Sequence, residues 1–451
     1  MSKGVFDLME KEGLTTLDIF YNHKRDKFLI RGMKEWDDDV PWDRYMVDFT
    51  WEDILTEDYK AVGMATLVAK FNRLGLKDYL EQIKQLIKEG RNYGIEFYYN
   101  RNKNIRVMYC KHVNTLGIKN RRQAIRAGAM RRHELTEPEI DVILDGLNIA
   151  RAMAYKNAIA NIPYGGSKIL VQCGPVKLDD FETMGFLAYI TDRTRSITGP
   201  DMGFTPEMAD IIREKFTRNY TDGRKSNMGT SGALTAYGEY LAIKEACDFI
   251  YGSRDLSRKK IAIQGIGEVG YPLAEYLLND SSHLIVTDID LAKVHKLQKK
   301  YGLDLVQYVE PENIYTVDGD IFSPCAMGGI ITEGKIGKFK FKIIIGSANN
   351  QLKATSKEGE IELAKKLADN GILFVVDWAH NTGGVLTAWA EWVFQEEATF
   401  DKVKPRIELV CRDNLRKLLE EAKRTGKTPT ELVYKKVEDM VYSGAEFSEA
   451  L

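Results

Sequence analysis

Cysteine is scarce in this sequence. The chain has 451 residues and only five cysteines, and no two of them form a C-x-x-C pair. They are Cys110, Cys173, Cys247, Cys325 and Cys411. An odd number of scattered cysteines is not the pattern of a disulfide framework or of a zinc-binding motif. We therefore expect reduced thiols, a cytoplasmic location and no bound metal.

The sequence also lacks a strong excess of either charge and any long apolar run. Its 64 Lys and Arg residues nearly balance 66 Asp and Glu residues, which gives a formal net charge of −2. This balance argues against a general nucleic-acid or membrane-surface binder. No run of 18 apolar residues occurs, and no basic segment followed by an apolar one opens the chain. We therefore expect neither membrane insertion nor secretion.

What the chain does have is the length and apolar content of two folded domains. It is 44% apolar and 29% charged, as expected for a globular protein. From about residue 235, strand-like segments near 261–264, 283–287, 342–346 and 372–376 alternate with helical patterns. Such alternation predicts a doubly wound parallel sheet, in which ligands bind beyond the carboxyl ends of the strands.

A glycine-rich turn follows the first of these strands. Residues 265–270 have the spacing G-x-G-x-x-G, and Asp288 ends the next strand. In a dinucleotide-binding fold, the first glycine permits a tight turn, the second lets the backbone approach a pyrophosphate, and the third allows close helix–strand packing. Asp288 would bind the adenosine ribose and repel a 2′-phosphate, which favours NAD over NADP. The nearby Lys293 keeps NADP open as an alternative.

Two lysines twelve positions apart, Lys156 and Lys168, form the second informative feature. Lys156 lies in a largely apolar stretch, where a buried cation needs an anionic partner. Lys168 follows a Gly-Gly-Ser turn that permits close approach to a ligand. One lysine can hold a substrate carboxylate, and the other, if desolvated near like charge, can have its pKa lowered to about 7–8 and exchange protons. On these residues alone, two surface lysines beside a loop are an equal alternative.

Together with further blocks, these features resemble the amino-acid dehydrogenases that act on leucine, phenylalanine, valine or glutamate. The resemblance extends from about residue 114 to residue 391, and the order and spacing of its blocks are more specific than any single block. The blocks are residues 152–156, 165–168, 198–203, 235–238, 265–270, 320–329, 346–351 and 381–385. The runs Pro-Cys-Ala-Met-Gly-Gly and Gly-Ser-Ala-Asn-Asn-Gln are more similar to the leucine and phenylalanine branch than to the glutamate branch.

The resemblance implies an α/β protein of two domains. One is an α/β substrate and assembly domain, the other carries a Rossmann-type doubly wound parallel sheet, and the active site lies in the cleft between them. We expect a mostly helical N-terminal extension over 1–90, the substrate-binding and oligomerisation domain over 91–234, and the NAD-binding domain over 235–381. Residues 382–451 would form helices that return to the first domain. A homo-oligomer is also implied.

The activity that the resemblance implies is NAD-dependent, reversible oxidative deamination of an L-amino acid to the 2-oxo acid and ammonia. Lys168 would polarise the developing carbonyl and activate water, and Asp201 would shuttle the proton of the amino group. Lys156, helped by Asn381, would anchor the substrate α-carboxylate. The carbonyl of Gly165 would accept a hydrogen bond from the substrate amine.

The same resemblance assigns residues to the cofactor. Thr235 and Asn349 would hold the nicotinamide carboxamide, and Cys325 would line the cofactor site rather than act as a nucleophile. The full set of expected cofactor contacts is Thr235, Gly265, Gly267, Glu268, Val269, Gly270, Asp288, Cys325, Ala326, Ser347, Asn349 and Asn381.

The substrate pocket depends on Arg126, which aligns where the leucine branch has an apolar residue and the glutamate branch a lysine. If Arg126 faces the pocket, it would bind an acidic or polar side chain. The alternative is a solvated basic face, which consists of Lys119, Arg121, Arg122, Arg126, Arg131 and Arg132. Gly199 would leave the pocket floor open, and Val385 and Ala388 would offer no polar partner. We therefore expect an apolar substrate.

A third reading is a regulatory relative that binds the cofactor without turnover. The presence of Lys156, Lys168 and Asp201 makes it the weakest of the three.

Overall fold

The computed structural model of the chain describes residues 4–113, 125–354 and 356–442. The chain divides into two units. The first contains the described parts of Met1–Gly229, Ala388–Ala398 and Asp439–Leu451, and the second contains those of Thr230–Thr387 and Thr399–Glu438. No helix in these described ranges is both long enough and apolar enough to cross a membrane.

The first unit is built on a mixed sheet whose strands come from distant parts of the chain. They are β1 (Thr16–Asn22), β2 (Lys27–Lys34), β3 (Lys60–Val62), β4 (Gly94–Asn100), β5 (Ile105–Lys111), β6 (Arg126–Ala127), β7 (Met130–His133), β8 (Gly165–Gln172) and β9 (Ser196–Ile197). Their spatial order is β3-β2-β1-β4-β5-β8-β6-β9, and β7 also pairs with β8. The sheet thus places β8, which carries Lys168, among β5, β6 and β7.

Helices cover both faces of this sheet. They are α1 (Val5–Glu12), α2 (Met64–Arg73), α3 (Lys77–Glu89), α4 (Glu139–Ile159), α5 (Phe181–Thr194) and α6 (Pro206–Lys215). Because side chains alternate along a strand, β8 contributes to two cores. Leu170 packs in one core with Ile143 of α4, whereas Ile169 packs in the other with Phe186 of α5. Lys168 is two residues from Leu170, so the two side chains have the same parity along the strand and lie on the same face. Lys168 therefore lies on the α4 face.

The second unit contains the predicted parallel sheet. Its strands are β10 (Lys260–Gln264), β11 (His283–Thr287), β12 (Val306–Tyr308), β13 (Ile321–Pro324), β14 (Ile343–Ile344) and β15 (Leu373–Phe374). All neighbours are parallel, in the order β12-β11-β10-β13-β14-β15. The order reverses between β10 and β13, which is the switch point where doubly wound sheets bind ligands. The fold class predicted from the sequence is confirmed.

The remaining helices follow residue 230. They are α7 (Gly232–Tyr251), α8 (Gly270–Asn279), α9 (Leu291–Tyr301), α10 (Glu333–Ile336), α11 (Lys357–Asp369), α12 (Gly383–Phe394), α13 (Phe400–Glu408), α14 (Leu415–Thr425) and α15 (Pro429–Tyr442). The structure gives different boundaries from those expected for the C-terminal region. Residues Thr399–Glu438 group with the second unit, and only Ala388–Ala398 and the end of the chain group with the first.

The N-terminal 90 residues also differ from the expected separate, mostly helical extension. They supply β1, β2 and β3 to the sheet of the first unit, together with α1, α2 and α3. Every residue of β1 is buried, including Asp18. A strand buried on both faces lacks the alternation by which strands are recognised in a sequence. This is the physical reason that the pattern of β1 was not recognised.

Burial of β1 places a carboxyl group in the sheet beside another one. Asp18 lies opposite Arg31 of β2 and opposite Glu96 of β4. Arg31 Nε donates to Asp18 Oδ2 at 2.5 Å, and Glu96 pairs with Lys111. Burial, reinforced by the facing Glu96 carboxylate, nevertheless raises the pKa of Asp18 to about 6 from its ordinary 3.8. Folding therefore increases the proton affinity of Asp18.

We predict that Asp18→Asn removes a pH-dependent loss of stability. Because the pKa of Asp18 is raised on folding, Asp18 contributes fully to the free energy of unfolding below about pH 4. This contribution is lost as the pH rises through about 6, and the loss amounts to up to about 3 kcal/mol. Melting temperatures of wild type and variant from pH 4 to 7 should therefore diverge in favour of the variant. The exposed Asp39→Asn should not diverge in this way. Parallel curves for Asp18→Asn would contradict the assignment.

Candidate active site

Strand β8 can approach α4 because it begins with glycine. A Cβ on Gly166 would lie 2.1 Å from the carbonyl oxygen of Ala150 and 2.3 Å from the amide nitrogen of Ala154. Any side chain there would push the helix away from the strand. Two residues later, Lys168 extends from the same face and is only 2% exposed. The glycine thus sets the depth at which the lysine is buried.

The buried amine of Lys168 meets two charged groups. Its Nζ donates a short hydrogen bond to Oδ2 of Asp201, which follows β9. The same oxygen accepts a hydrogen bond from Arg131 Nε at 3.0 Å, and Arg131 also reaches Asp145 at 3.0 Å. The backbone N–H of Met202 donates to the other Asp201 oxygen at 2.8 Å. The structure therefore brings together the two predicted catalytic residues, Lys168 and Asp201.

These contacts shift the pKa values of both groups. Burial lowers the pKa of Lys168, and the like charge of Arg131 adds to this effect, although Asp201 opposes it. Burial disfavours ionisation of Asp201, but the cations of Lys168 and Arg131 outweigh it and hold the pKa of this carboxyl well below its usual range. The site thus contains an ionised carboxylate beside an amine that releases its proton more readily than an exposed lysine. Such a pair can exchange protons with a bound molecule.

Arg131 is a residue of this site that the sequence analysis did not assign. It was grouped with a solvated basic face, but it lies on β7 opposite Leu170 and so has the parity of Lys168. The alternative prediction of a solvated basic face is wrong for Arg126, which is 7% exposed, and for Arg131, which is bound to two carboxylates. Lys119, Arg121 and Arg122 lie outside the described residues. Arg131 could have been assigned to the site only if β7 had been predicted as a strand that pairs in parallel with β8.

The structure does not place the Arg126 side chain near Lys168. It lies on β6 opposite Gly165, three residues from Lys168 along β8, and thus has the opposite parity. Its guanidinium carbon lies 5.7 Å from the centroid of the Tyr93 ring, at the start of β4. The Arg126 side chain is therefore buried on the face of the sheet away from the lysine.

The other expected substrate residues of the first unit lie on β8, α4 and the segment after β9. Lys156 lies in the last turn of α4 and is 8% exposed. The neighbouring Asn157 donates a hydrogen bond from Nδ2 to the carbonyl of Gly165 at 3.0 Å, which fixes the start of β8 against the end of α4. The carbonyl of Gly199 accepts a hydrogen bond from the Met130 N–H at 2.9 Å.

In the second unit, the glycine turn has the geometry that its spacing predicts. Gly265 has a φ of +93°, which favours glycine, and a Cβ on Gly270 would lie 1.9 Å from the Gly265 carbonyl oxygen. By contrast, a Cβ on Gly267 would meet nothing within 4 Å. Asp288, directly after β11, accepts a hydrogen bond from the Ile266 N–H at 2.6 Å. Open space at the start of α8, with a carboxylate at the next strand, suits a pyrophosphate and a ribose.

The adjacent strand ends carry the next group of expected residues. The Cys325 N–H donates to the carbonyl of Gln264 at 2.8 Å, and Ala326 lies against Gly265. Burial raises the pKa of the Cys325 thiol, which makes it a poor nucleophile. Asn381 donates from Nδ2 to the carbonyl of Ser347 at 2.5 Å and to Asn349 Oδ1 at 3.5 Å. These residues therefore cluster at the carboxyl edge of the sheet.

The last expected residues lie on or beside helices. Thr235, in the first turn of α7, donates its hydroxyl to the Ser231 carbonyl at 2.8 Å. Glu268 is exposed and accepts from the Thr230 hydroxyl at 3.1 Å. Val269 immediately precedes α8 and is half-buried. On α12, Val385 is buried and Ala388 is half-buried.

Both units match family models of amino-acid dehydrogenases, which are oxidoreductases. Residues 229–438 match the family model for Glutamate/Leucine/Phenylalanine/Valine dehydrogenase, and residues 120–218 match the model for the dimerisation domain of Glu/Leu/Phe/Val dehydrogenase. The chain belongs to this family of amino-acid dehydrogenases, and its curated relatives support the leucine and phenylalanine branch.

Individual relatives agree with this assignment. Leucine dehydrogenase of Thermoactinomyces intermedius is 36% identical over 330 residues, 71% of this chain and 83% of that protein. Phenylalanine dehydrogenase of Lysinibacillus sphaericus is 36% identical over 290 residues, 62% of this chain and 71% of that protein. The crystal structure of L-tryptophan dehydrogenase from Nostoc punctiforme superimposes with a TM-score of 0.64 at 29% identity. It covers 80% of this chain and 98% of that one.

Proposed function

We propose that this protein catalyses the reversible, NAD-dependent oxidative deamination of an L-amino acid with an apolar side chain. The observation that carries the proposal is the buried pair of Lys168 and Asp201. In this pair, one group is a carboxylate at every ordinary pH and the other is an amine with a lowered pKa. The relatives support the same reaction class, since they are named leucine, phenylalanine and tryptophan dehydrogenases.

The proton steps follow from the states of these two groups. In the deamination direction, ionised Asp201 would accept a proton from the substrate ammonium group. After the α-hydride has left and the amine has become an imine, neutral Lys168 would remove a proton from the water that attacks the imine carbon. The C–N bond would then break and release ammonia. As an ammonium group, Lys168 would stabilise the negative charge that develops on the carbonyl oxygen. General acid–base steps of this kind contribute about 10²–10⁴-fold in rate.

Substrate orientation would depend on Lys156, Gly165 and Asn381. The ammonium of Lys156 is a point charge suited to the substrate α-carboxylate. The Gly165 carbonyl would accept a hydrogen bond from the substrate amine, and Asn381 would assist Lys156. With these ends of the substrate held, its Cα–H bond has a fixed direction.

When bound, NAD would supply the hydride acceptor. The turn of residues 265–270 would hold the pyrophosphate at the start of α8, and Asp288 would bind the ribose hydroxyls. Thr235 and Asn349 would fix the carboxamide. The Thr235 hydroxyl donates its proton to the Ser231 carbonyl, so its oxygen can accept a hydrogen bond from the carboxamide.

Three observations support an apolar substrate over an acidic one. Arg126 has the parity opposite to Lys168 on the sheet and lies beside Tyr93. Val385 and Ala388 offer no charge, and Gly199 adds no side chain. A substrate carboxylate without a partner would be strongly disfavoured, whereas each buried CH₂ contributes about 0.8 kcal/mol. We also propose self-association, because the model matched by residues 120–218 is that of a dimerisation domain.

Lys168→Ala is expected to reduce turnover by at least about 100-fold, because it removes the general base. Asp201 keeps Arg131 as a partner in this variant, so the carboxylate is not left unpaired. NAD binding, measured by fluorescence titration, should stay within about threefold of wild type if the adenosine contacts lie in the second unit. The exposed Lys177→Ala serves as the matched control. Activity of Lys168→Ala within about tenfold of wild type would show that another group acts as the base.

Asp288→Ala is expected to narrow a preference for NAD over NADP. The wild-type carboxylate repels a 2′-phosphate, and a like-charge contact near the surface is worth at least about 1 kcal/mol. The substitution also frees the Ile266 N–H, which can bind an anion. Values of kcat/KM with each cofactor should therefore converge in this variant but not in the exposed Asp304→Ala. A wild-type preference for NADP would refute the role of Asp288 and direct attention to Lys293.

Leucine or phenylalanine is expected to be a better substrate than glutamate, and Arg126→Leu should preserve this ranking. A cofactor-coupled absorbance screen over L-amino acids, and over 2-oxo acids with ammonium, measures it. Since Arg126 is buried, Arg126→Gln provides a milder, uncharged variant if the leucine variant does not fold. A glutamate preference that disappears on mutation would mean that Arg126 reads an acidic side chain.

A further inference from the structure

Arg131 bridges two carboxylates of the first unit. Its Nε donates to Asp201 at 3.0 Å, and its Nη1 donates to both oxygens of Asp145, at 3.0 and 3.3 Å. Asp201 follows β9, whereas Asp145 lies on α4, and Arg131 itself lies on β7. One planar guanidinium thus fixes a loop and a helix relative to a strand. A guanidinium has this ability because its donors point in fixed directions.

A second residue lies at the far end of this bridge. His133, two residues after Arg131 on β7, lies with Nε2 3.3 Å from Asp145 Oδ2 and with Nδ1 2.9 Å from Glu137 Oε2. The Asp145 carboxylate therefore binds Arg131 and lies beside the His133 ring. Glu137 is about half-exposed, so the chain of charged groups extends from Lys168 to the solvent.

The groups that face the reacting pair are few. Lys168 is influenced by Asp201, Arg131 and Asp145, and its cross-strand neighbour is the uncharged Cys110 thiol. Asp201 is influenced by Lys168 and Arg131, and its charge raises the pKa of the buried Tyr220 hydroxyl. Among the residues that the structure describes, Arg131 is thus the cation other than Lys168 that contacts Asp201 directly.

Without Arg131, Asp201 retains Lys168 and one backbone N–H as its hydrogen-bond partners. Its carboxylate then rotates with the loop after β9, and the lysine loses the like charge that favours its neutral form. A residue that merely stabilises the fold would lower the melting temperature but leave the proton affinity of Lys168 unchanged. The contacts of Arg131 therefore predict an effect on the chemistry as well as on stability.

We propose that Arg131 is a positioning residue, which orients the Asp201 carboxylate toward Lys168 and is itself held by Asp145. This inference rests on the proposed deamination, in which Lys168 and Asp201 exchange protons with the substrate. Arg131 acts through Asp201 and is not expected to touch the substrate.

The test is the pH dependence of kcat and kcat/KM in Arg131→Gln. We expect kcat to fall by about tenfold or more, since small misplacements of catalytic groups cost up to about 100-fold. Loss of a nearby like charge raises the proton affinity of Lys168, so the acidic limb of the profile should move to higher pH by about one unit. KM for the amino acid should change by less than about threefold, because the proposed carboxylate anchor, Lys156, is untouched.

Arg132→Gln is the matched control on the same strand. Arg132 donates to the Cys173 carbonyl at 3.0 Å and to Glu134 at 2.5 Å, and not to Asp201. Its profile should superimpose on that of wild type. An equal shift in both variants would overturn the proposal, because it would be a general effect of lost charge. An unchanged kcat and acidic limb in Arg131→Gln would overturn it as well.

Arg131→Lys keeps the test decisive if the glutamine variant does not fold. An ammonium group retains the charge but cannot bridge two carboxylates in a fixed plane. We expect the acidic limb to stay within about 0.3 units of wild type while kcat falls by about threefold or more. Full kcat in this variant would show that the orientation of Asp201 does not depend on Arg131.

A measurement independent of activity separates this inference from the proposed function. Melting temperatures of Arg131→Gln, Asp201→Asn and the double variant form a thermodynamic cycle. If the bridge exists, the double variant should lose less than the sum of the single losses, and additivity would refute it. An inactive wild type across the whole substrate screen would refute the proposed function, while the cycle would still decide whether Arg131 holds Asp201.

Discussion

The need to balance a buried ammonium group governs the construction of the first unit. Lys168 is 2% exposed, and a cation at that depth is stable only beside an anion. Asp201 supplies the anion, but its carboxylate also binds Arg131, and that second cation in turn binds Asp145. Each charge is compensated by a residue from another element. The packing of β7, β8, α4 and the segment after β9 is therefore tied to the electrostatics of one amine.

The other face of the same sheet follows the same rule with different residues. Lys111 lies opposite Ser167 and pairs with Glu96, which faces Asp18 of the N-terminal strand β1. Asp18 in turn binds Arg31 of β2. The N-terminal residues thus do more than cover the sheet, since their ion pair of Asp18 and Arg31 lies within it beside Glu96. Their strands are as much a part of the first unit as β8.

The sequence predicted those features whose causes lie close together in the chain. The strand, glycine turn and helix of residues 260–279 are contiguous, and Asp288 ends the next strand, so this part of the second unit was recognised correctly. Arg131 escaped recognition because its partners, Asp145 and Asp201, are 14 and 70 residues away. The buried Arg126 likewise lies beside Tyr93, which directly precedes β4 and is 33 residues away in the chain. Such contacts become visible only when the strand order is known.

Neighbouring residues of β8 face two different electrostatic environments, one on each side of the sheet. Lys168 points toward Asp201 on one face, while Ser167 lies opposite Lys111 on the other. A one-residue insertion or deletion before Lys168 would turn the amine to the face that already contains Lys111 and Arg126. It would leave Asp201 without Lys168 and with Arg131 as its remaining cation among the described residues. Within β8, a change of length therefore keeps Lys168 on its face only when it is an even number of residues, and even-numbered gaps are the trace that this constraint should leave among related sequences.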